Sequence, residues 1–112
     1  MRKLMTADLF SFARVIKASG IREELIGYIQ SISADADKER VGMNAILMII
    51  EALSDKKAES AVYSALSPVF EMKAEEVAQL PPNELFAKLK QMAEENDLLN
   101  FFNSLFGTLG KN

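Results

Sequence analysis

Apolar side chains recur along most of this chain at intervals of three and four residues, which is the spacing of one face of an α-helix. Strand-like alternation of apolar and polar residues is absent, and the chain holds only three prolines and five glycines. The pattern therefore predicts an all-α protein, a single-domain bundle of six to seven short helices that spans residues 1–112.

Capping residues and apolar stripes place the first three predicted helices. Thr6 is a good N-cap for the first helix, and Gly20 suits the left-handed position that ends it. A second helix begins at once and carries its stripe over residues 21–32, and a third covers about residues 38–53. The third helix is apolar on nearly its whole circumference, which favours a place at the centre of the bundle or at an oligomer interface.

Three prolines punctuate the second half of the chain. Ser54 is predicted to cap a fourth helix, which Pro68 ends or kinks near Leu66. A short fifth helix of about two turns is expected between residues 72 and 80. Asn83, directly after two prolines, is predicted to cap the sixth helix.

The predicted last helix, about residues 97–109, concentrates apolar and aromatic side chains near the end of the chain. Asn96 or Asp97 would cap it, and Gly107 or Gly110 would end it. So much aromatic surface must either close the core or contact a partner, and a terminal helix can swing out at low cost.

We predict two partner-contact faces. The first lies on the last helix and consists of Phe101, Phe102, Leu105, Phe106 and Leu109. The second lies on the third helix and consists of Met43, Leu47 and Ile50. We expect Leu98, Phe101 and Leu105 to be core residues before the others. Phe102 and Phe106 are therefore the better candidates for a contact surface.

Composition argues against catalysis. The chain has no His and no Cys, which excludes nucleophilic catalysis by Ser/His or Cys/His pairs. The paired glutamates are adjacent in sequence, so their side chains diverge on a helix. Asp35, Asp37 and Glu39 begin like a calcium loop, but Arg40 occupies the position that needs Gly, which favours a helix-capping turn. We therefore expect no enzyme activity, cofactor or metal.

The net charge of −3 is unevenly distributed. Residues 1–22 hold five basic side chains and one acidic one, whereas the remainder holds eight basic and fifteen acidic ones. Glu23 and Glu24 open the second helix and would face phosphates unfavourably, so no nucleic acid is expected. The longest apolar run, residues 45–50, is far short of the roughly 20 residues that a membrane span needs.

Three segments carry a resemblance to a known family. The first is Thr6-x-Asp8-x-Phe10-x-x-x-Arg14-x-Ile16-Lys17 followed by Gly20-Ile21-Arg22-Glu23-Glu24-Leu25. The second is Phe70-Glu71-Met72-x-x-Glu75-Glu76-Val77. The third is Leu85-Phe86-x-x-Leu89-Lys90-x-Met92-x-Glu94-Glu95-Asn96-Asp97-Leu98-x-x-Phe101-Phe102. From about Arg2 to Phe106, the chain resembles the lambda G-like tail assembly chaperones of long-tailed phages and prophages of Gram-positive bacteria.

The resemblance implies a non-enzymatic role in phage tail assembly. Such chaperones bind the long helical tape-measure protein, keep it soluble and help to recruit tail-tube subunits. They act in the host cytoplasm, are absent from the mature virion, and often have a longer form made by ribosomal frameshifting. Repeated copies along the client would suit self-association into a homo-oligomer.

Two other functions stay open at this point. The chain could be a structural part of the virion, such as a head–tail connector or tail completion protein. It could also be a small helical regulatory module, for which the basic cluster in residues 1–22 is the support.

Overall fold

Seven α-helices and no strand occur in the part of the chain that the computed structural model describes, which is residues 1–33, 35–53 and 55–110, with side chains described up to 107. The helices are α1 (Thr6–Ser19), α2 (Arg22–Gln30), α3 (Lys38–Ala52), α4 (Lys56–Phe70), α5 (Ala74–Ala78), α6 (Pro82–Glu95) and α7 (Leu98–Gly110). The predicted all-α bundle of six to seven short helices is confirmed.

Aspartate side chains cap three of the helices, because a carboxylate accepts from the N–H groups that the first turn leaves unpaired. Asp37, Asp55 and Asp97 accept from the backbone N–H of Glu39, Ala58 and Asn100 at 3.1, 2.7 and 3.0 Å. The predicted cap of α4, Ser54, lies outside the described residues. Asp37 thus has the predicted capping role.

Helix α1 begins one residue earlier than predicted, so Thr6 is not its N-cap. Thr6 is the first helical residue and Met5 occupies the N-cap position. The side chain of Asp8 accepts from the Met5 N–H at 2.8 Å, so it satisfies the donor at this end. At the other end Gly20 has φ +74°, the left-handed conformation that its lack of a Cβ permits, as predicted.

Pro68 does not end α4 near Leu66, which corrects that part of the prediction from its sequence. The helix continues through the proline to Phe70 and ends at Glu71, whose φ of +58° is left-handed. Val69 and Phe70 are buried in the core. Their burial stabilises a last turn that proline alone would disfavour.

Helix α6 also starts earlier than predicted. Its first residue is Pro82 rather than a residue after Asn83. Proline suits the first helical position, because its φ is already helical and its missing N–H has no partner to lose there.

Helix α3 lies at the centre of the bundle. It packs against α1, α2, α6 and α7, while α4 packs against α1 and α5. Buried apolar side chains from all seven helices join one hydrophobic cluster. The nearly complete apolar circumference of α3 therefore faces neighbouring helices on several sides. No helix in the described ranges is both long and apolar enough to cross a membrane.

The contact between α3 and α7 depends on the absence of a side chain at Gly42. This glycine is buried in α3, and a Cβ placed on it would lie 2.8 Å from Cβ of Leu98 and 3.0 Å from Cδ1. Real Cβ atoms do not approach so closely, and Cβ of Leu98 is rigidly attached to the backbone of α7. Gly42 thus lets the last helix dock closely.

Gly42→Ala is expected to destabilise the protein by about 1–3 kcal/mol, because α7 must shift to make room for the new methyl group. The matched control is Gly27→Ala in α2, where a new Cβ meets nothing within 4 Å. That change should stabilise the protein by about 0.5–1 kcal/mol through helix propensity. Urea denaturation of both variants measures the difference, and equal effects would contradict the close contact.

Candidate partner-binding groove

The first predicted contact face, on α7, is turned mainly towards the core. The side chain of Phe102 is 0% exposed, Leu105 is also buried, and Phe106 is 8% exposed. Phe101 is half-buried at the edge of the helix, and the side chain of Leu109 lies outside the described residues. The expectation that Phe101 would be buried before Phe102 and Phe106 is therefore wrong, since Phe101 retains more exposed surface than either of them.

Aromatic rings contact one another along this side of α7. Phe12 of α1 meets Phe101 edge to face with ring centroids 5.5 Å apart. Phe102 stacks on Phe106, one helical turn further, at 6.2 Å. Because α7 packs against α1, α2 and α3, the side of α7 that faces these helices includes both stacked rings. Contact of Phe102 with a partner stays a prediction and would require α7 to leave this position.

The second predicted face, on α3, keeps part of its surface. Met43, Leu47 and Ile50 are each half-buried, and Met43 and Ile50 also pack against the core. Their role in partner binding stays a prediction.

A wide groove that the sequence patterns did not predict lies between α1, α2 and α7. Its volume is about 820 Å³. The buried side chains Ile16, Leu105 and Phe106 form its floor. Phe10 of α1 lies on its edge with 64% of its surface exposed. Two members of the predicted α7 face therefore contribute to an accessible site as floor residues.

Phe10 is the groove residue that sequence reasoning missed. The residues Leu9, Phe12, Ala13 and Ile16 are spaced three and four apart and form the apolar stripe of α1, and Phe10 lies off that stripe. A phenylalanine outside the apolar stripe of an amphipathic helix is a signal of an exposed aromatic side chain.

Charged side chains border the groove on two sides. Arg14 and Lys17 extend from α1, and Arg22, Glu23 and Glu24 lie at the start of α2. Arg22 Nη1 lies 3.2 Å from Glu23 Oε1, so these two charges largely offset each other. The α1 side is left positive and the α2 side negative.

A buried ion pair attaches α1 to the end of α4. The side chain of Asp8 is 2% exposed and accepts from both terminal nitrogens of Arg2, at 3.0 and 3.1 Å. Arg2 in turn donates its Nε–H to the carbonyl oxygen of Pro68 at 3.2 Å. Its backbone N–H donates to the carbonyl oxygen of Val69 at 2.8 Å. The hydrogen bond with Asp8 raises the pKa of Arg2 above its ordinary value.

A second raised pKa belongs to Tyr63 of α4. The hydrogen bond that Tyr63 donates to Glu59 raises the pKa of the Tyr63 hydroxyl, with smaller contributions from burial and from the charge of Glu59. Because both pKa values are raised, the Arg2 guanidinium and the Tyr63 hydroxyl stay protonated near neutral pH. Across the described residues no group of three or more acidic side chains is close enough together to hold a metal ion.

Comparison with known proteins finds no matching family model, no similar curated protein and no similar solved structure. The resemblance to tail assembly chaperones therefore stays an expectation from three sequence segments. The groove and its charged borders are the features from which a function is proposed.

Proposed function

We propose that this protein is a phage tail assembly chaperone that binds the tape-measure protein through the groove between α1, α2 and α7. An apolar stripe on a helix of the tape-measure protein lies on the floor of Ile16, Leu105 and Phe106. Phe10 closes over the edge of the bound helix. The bound stripe is thereby shielded from water and from aggregation with other copies.

The observation that carries this proposal is the exposure of Phe10 beside an open apolar groove. Exposing most of a phenylalanine ring to water costs free energy that burial against a partner would recover, roughly 1.5–3 kcal/mol for a fully buried side chain. An apolar groove between helices is also the usual receptor for the apolar face of an amphipathic helix. A chaperone for a long helix needs such a receptor and no catalytic group.

The remaining parts of the proposal follow from the resemblance of the three segments. Bound tape-measure protein stays soluble in the host cytoplasm until tail-tube subunits replace the chaperone. The chaperone then dissociates and is absent from the mature virion. Self-association, and association with a longer frameshifted form, would place several copies along one client.

Co-expression with the tape-measure protein encoded beside this chain tests the proposal. We expect the wild-type chain to retain the tape-measure protein in the soluble fraction and to co-purify with it. Phe10→Asp should reduce the captured amount about tenfold or more, because the charge replaces the exposed ring at the groove.

The matched control is Phe86→Asp, since Phe86 is also exposed, at 44%, but does not line the groove. Both variants should keep the wild-type helical content by circular dichroism. If the wild-type chain is folded and the tape-measure protein stays insoluble and unbound, the chaperone proposal is wrong. Recovery of this chain in purified virions would then favour a structural connector.

A further inference from the structure

We propose that the occupant of the groove is an amphipathic helix with acidic residues along one side of its apolar stripe and basic residues along the other. The acidic side would face α1, where Arg14 and Lys17 border the groove, and the basic side would face α2, near Glu24. This inference rests on the proposed function, in which the groove is the partner site, and specifies the chemistry of the partner.

The charges of the α1 border are available to a partner. Arg14 and Lys17 are both exposed, and neither forms an ion pair within the described part of the chain. The guanidinium of Arg14 has a hydrogen bond of 3.5 Å to the hydroxyl of Ser11, which leaves its charge uncompensated. This border therefore carries two net positive charges.

The α2 border has the opposite sign. Arg22 and Glu23 form an ion pair with each other, so Glu24 supplies the net negative charge. Glu24 is exposed and forms no ion pair with any other described residue. A helix lying between the two borders meets opposite charges on its two sides.

The apolar floor and the two charged borders together select the class of partner. The phosphates of a nucleic acid or of an anionic membrane surface could pair with Arg14 and Lys17 but offer no positive charge to Glu24. A uniformly acidic helix would be repelled by Glu24, and a uniformly basic helix by Arg14 and Lys17. Surface charge pairs contribute modestly to affinity, but they discriminate between partners and set the orientation in which the partner binds.

Three designed helical peptides with one shared leucine stripe test the inference. The first has glutamates on one side of the stripe and lysines on the other, the second has glutamates on both sides, and the third has lysines on both. Fluorescence anisotropy with the full chain should show that the mixed peptide binds about fivefold more tightly than either uniform peptide. Raising the salt concentration should shrink that difference.

Reversing the charge of the α1 border provides a second test of the inference. In the double variant Arg14→Glu with Lys17→Glu, both borders are negative, so the peptide with lysines on both sides should become the tightest ligand. The mixed peptide should lose affinity about tenfold. The control double variant is Lys56→Glu with Lys57→Glu in α4, which has the same change in net charge at exposed positions outside the groove. It should keep the wild-type order of affinities.

Equal affinity for the three peptides, no binding of any of them, or an unchanged order in the Arg14 and Lys17 double variant would overturn the inference. Capture of the tape-measure protein that depends on Phe10 would leave the proposed function intact in each of those cases. Conversely, the expected peptide order together with no capture of the tape-measure protein would support the charged groove and contradict the chaperone role.

Discussion

Phe102→Ala is expected to destabilise the protein by about 3–5 kcal/mol, the range for truncating a fully buried phenylalanine. Its side chain is 0% exposed and its ring stacks on that of Phe106. The ring centroids of Phe101 and Phe102 lie 5.8 Å apart. The change removes apolar surface from the core and leaves a cavity between α7 and its neighbours. Urea denaturation followed by circular dichroism measures the loss.

The matched control is Phe10→Ala, which truncates a phenylalanine that is 64% exposed. Its stability should stay within about 0.5 kcal/mol of the wild type. If Phe102→Ala is as stable as Phe10→Ala, then α7 does not dock in solution as described. Such a result would favour the sequence-based prediction of a terminal helix whose aromatic face meets a partner.

Asp8→Asn is expected to cost about 2–3 kcal/mol, because it removes one charge of a buried pair and keeps the size of the side chain. The guanidinium of Arg2 would then face an amide whose NH₂ group is also a donor. The Arg2 side chain is 25% exposed, so water relieves part of the penalty. The link between the start of α1 and the end of α4 should weaken with it.

Glu23→Gln provides the comparison for that prediction. It makes the same carboxylate-to-amide change in an ion pair whose glutamate side chain is 79% exposed. Surface pairs contribute little, so stability should change by less than about 0.5 kcal/mol. Thermal unfolding of the two variants at neutral pH separates the cases. Equal shifts would show that Asp8 is solvated in solution.

The substituted residues belong to two different parts of the molecule. Variants at Gly42, Phe102 and Asp8 test how the helices are held together. Variants at Phe10, Arg14 and Lys17 change exposed side chains and test binding with the fold intact. Loss of partner capture in the second group can therefore be read as loss of a contact.

Helix number, order and approximate bounds were predictable from residues close together in sequence. The left-handed Gly20, the capping role of Asp37 and the start of α7 after Asp97 are examples. Each depends on backbone groups within a few residues of the side chain concerned, so sequence spacing contains the relevant geometry. The continuation of α4 through Pro68 was not predictable in this way, because burial of Val69 and Phe70 by other helices outweighs the local preference.

The candidate site was predictable only in part. Leu105 and Phe106 were recognised as important apolar residues, but the sequence pattern does not tell which neighbours surround them. A helical stripe specifies which residues share a face, whereas the exposure of each residue depends on where α1, α2 and α3 lie around α7. That arrangement buries Phe102, leaves part of Phe101 accessible, and brings Phe10 to the edge of a groove with residues more than 90 positions away in the chain.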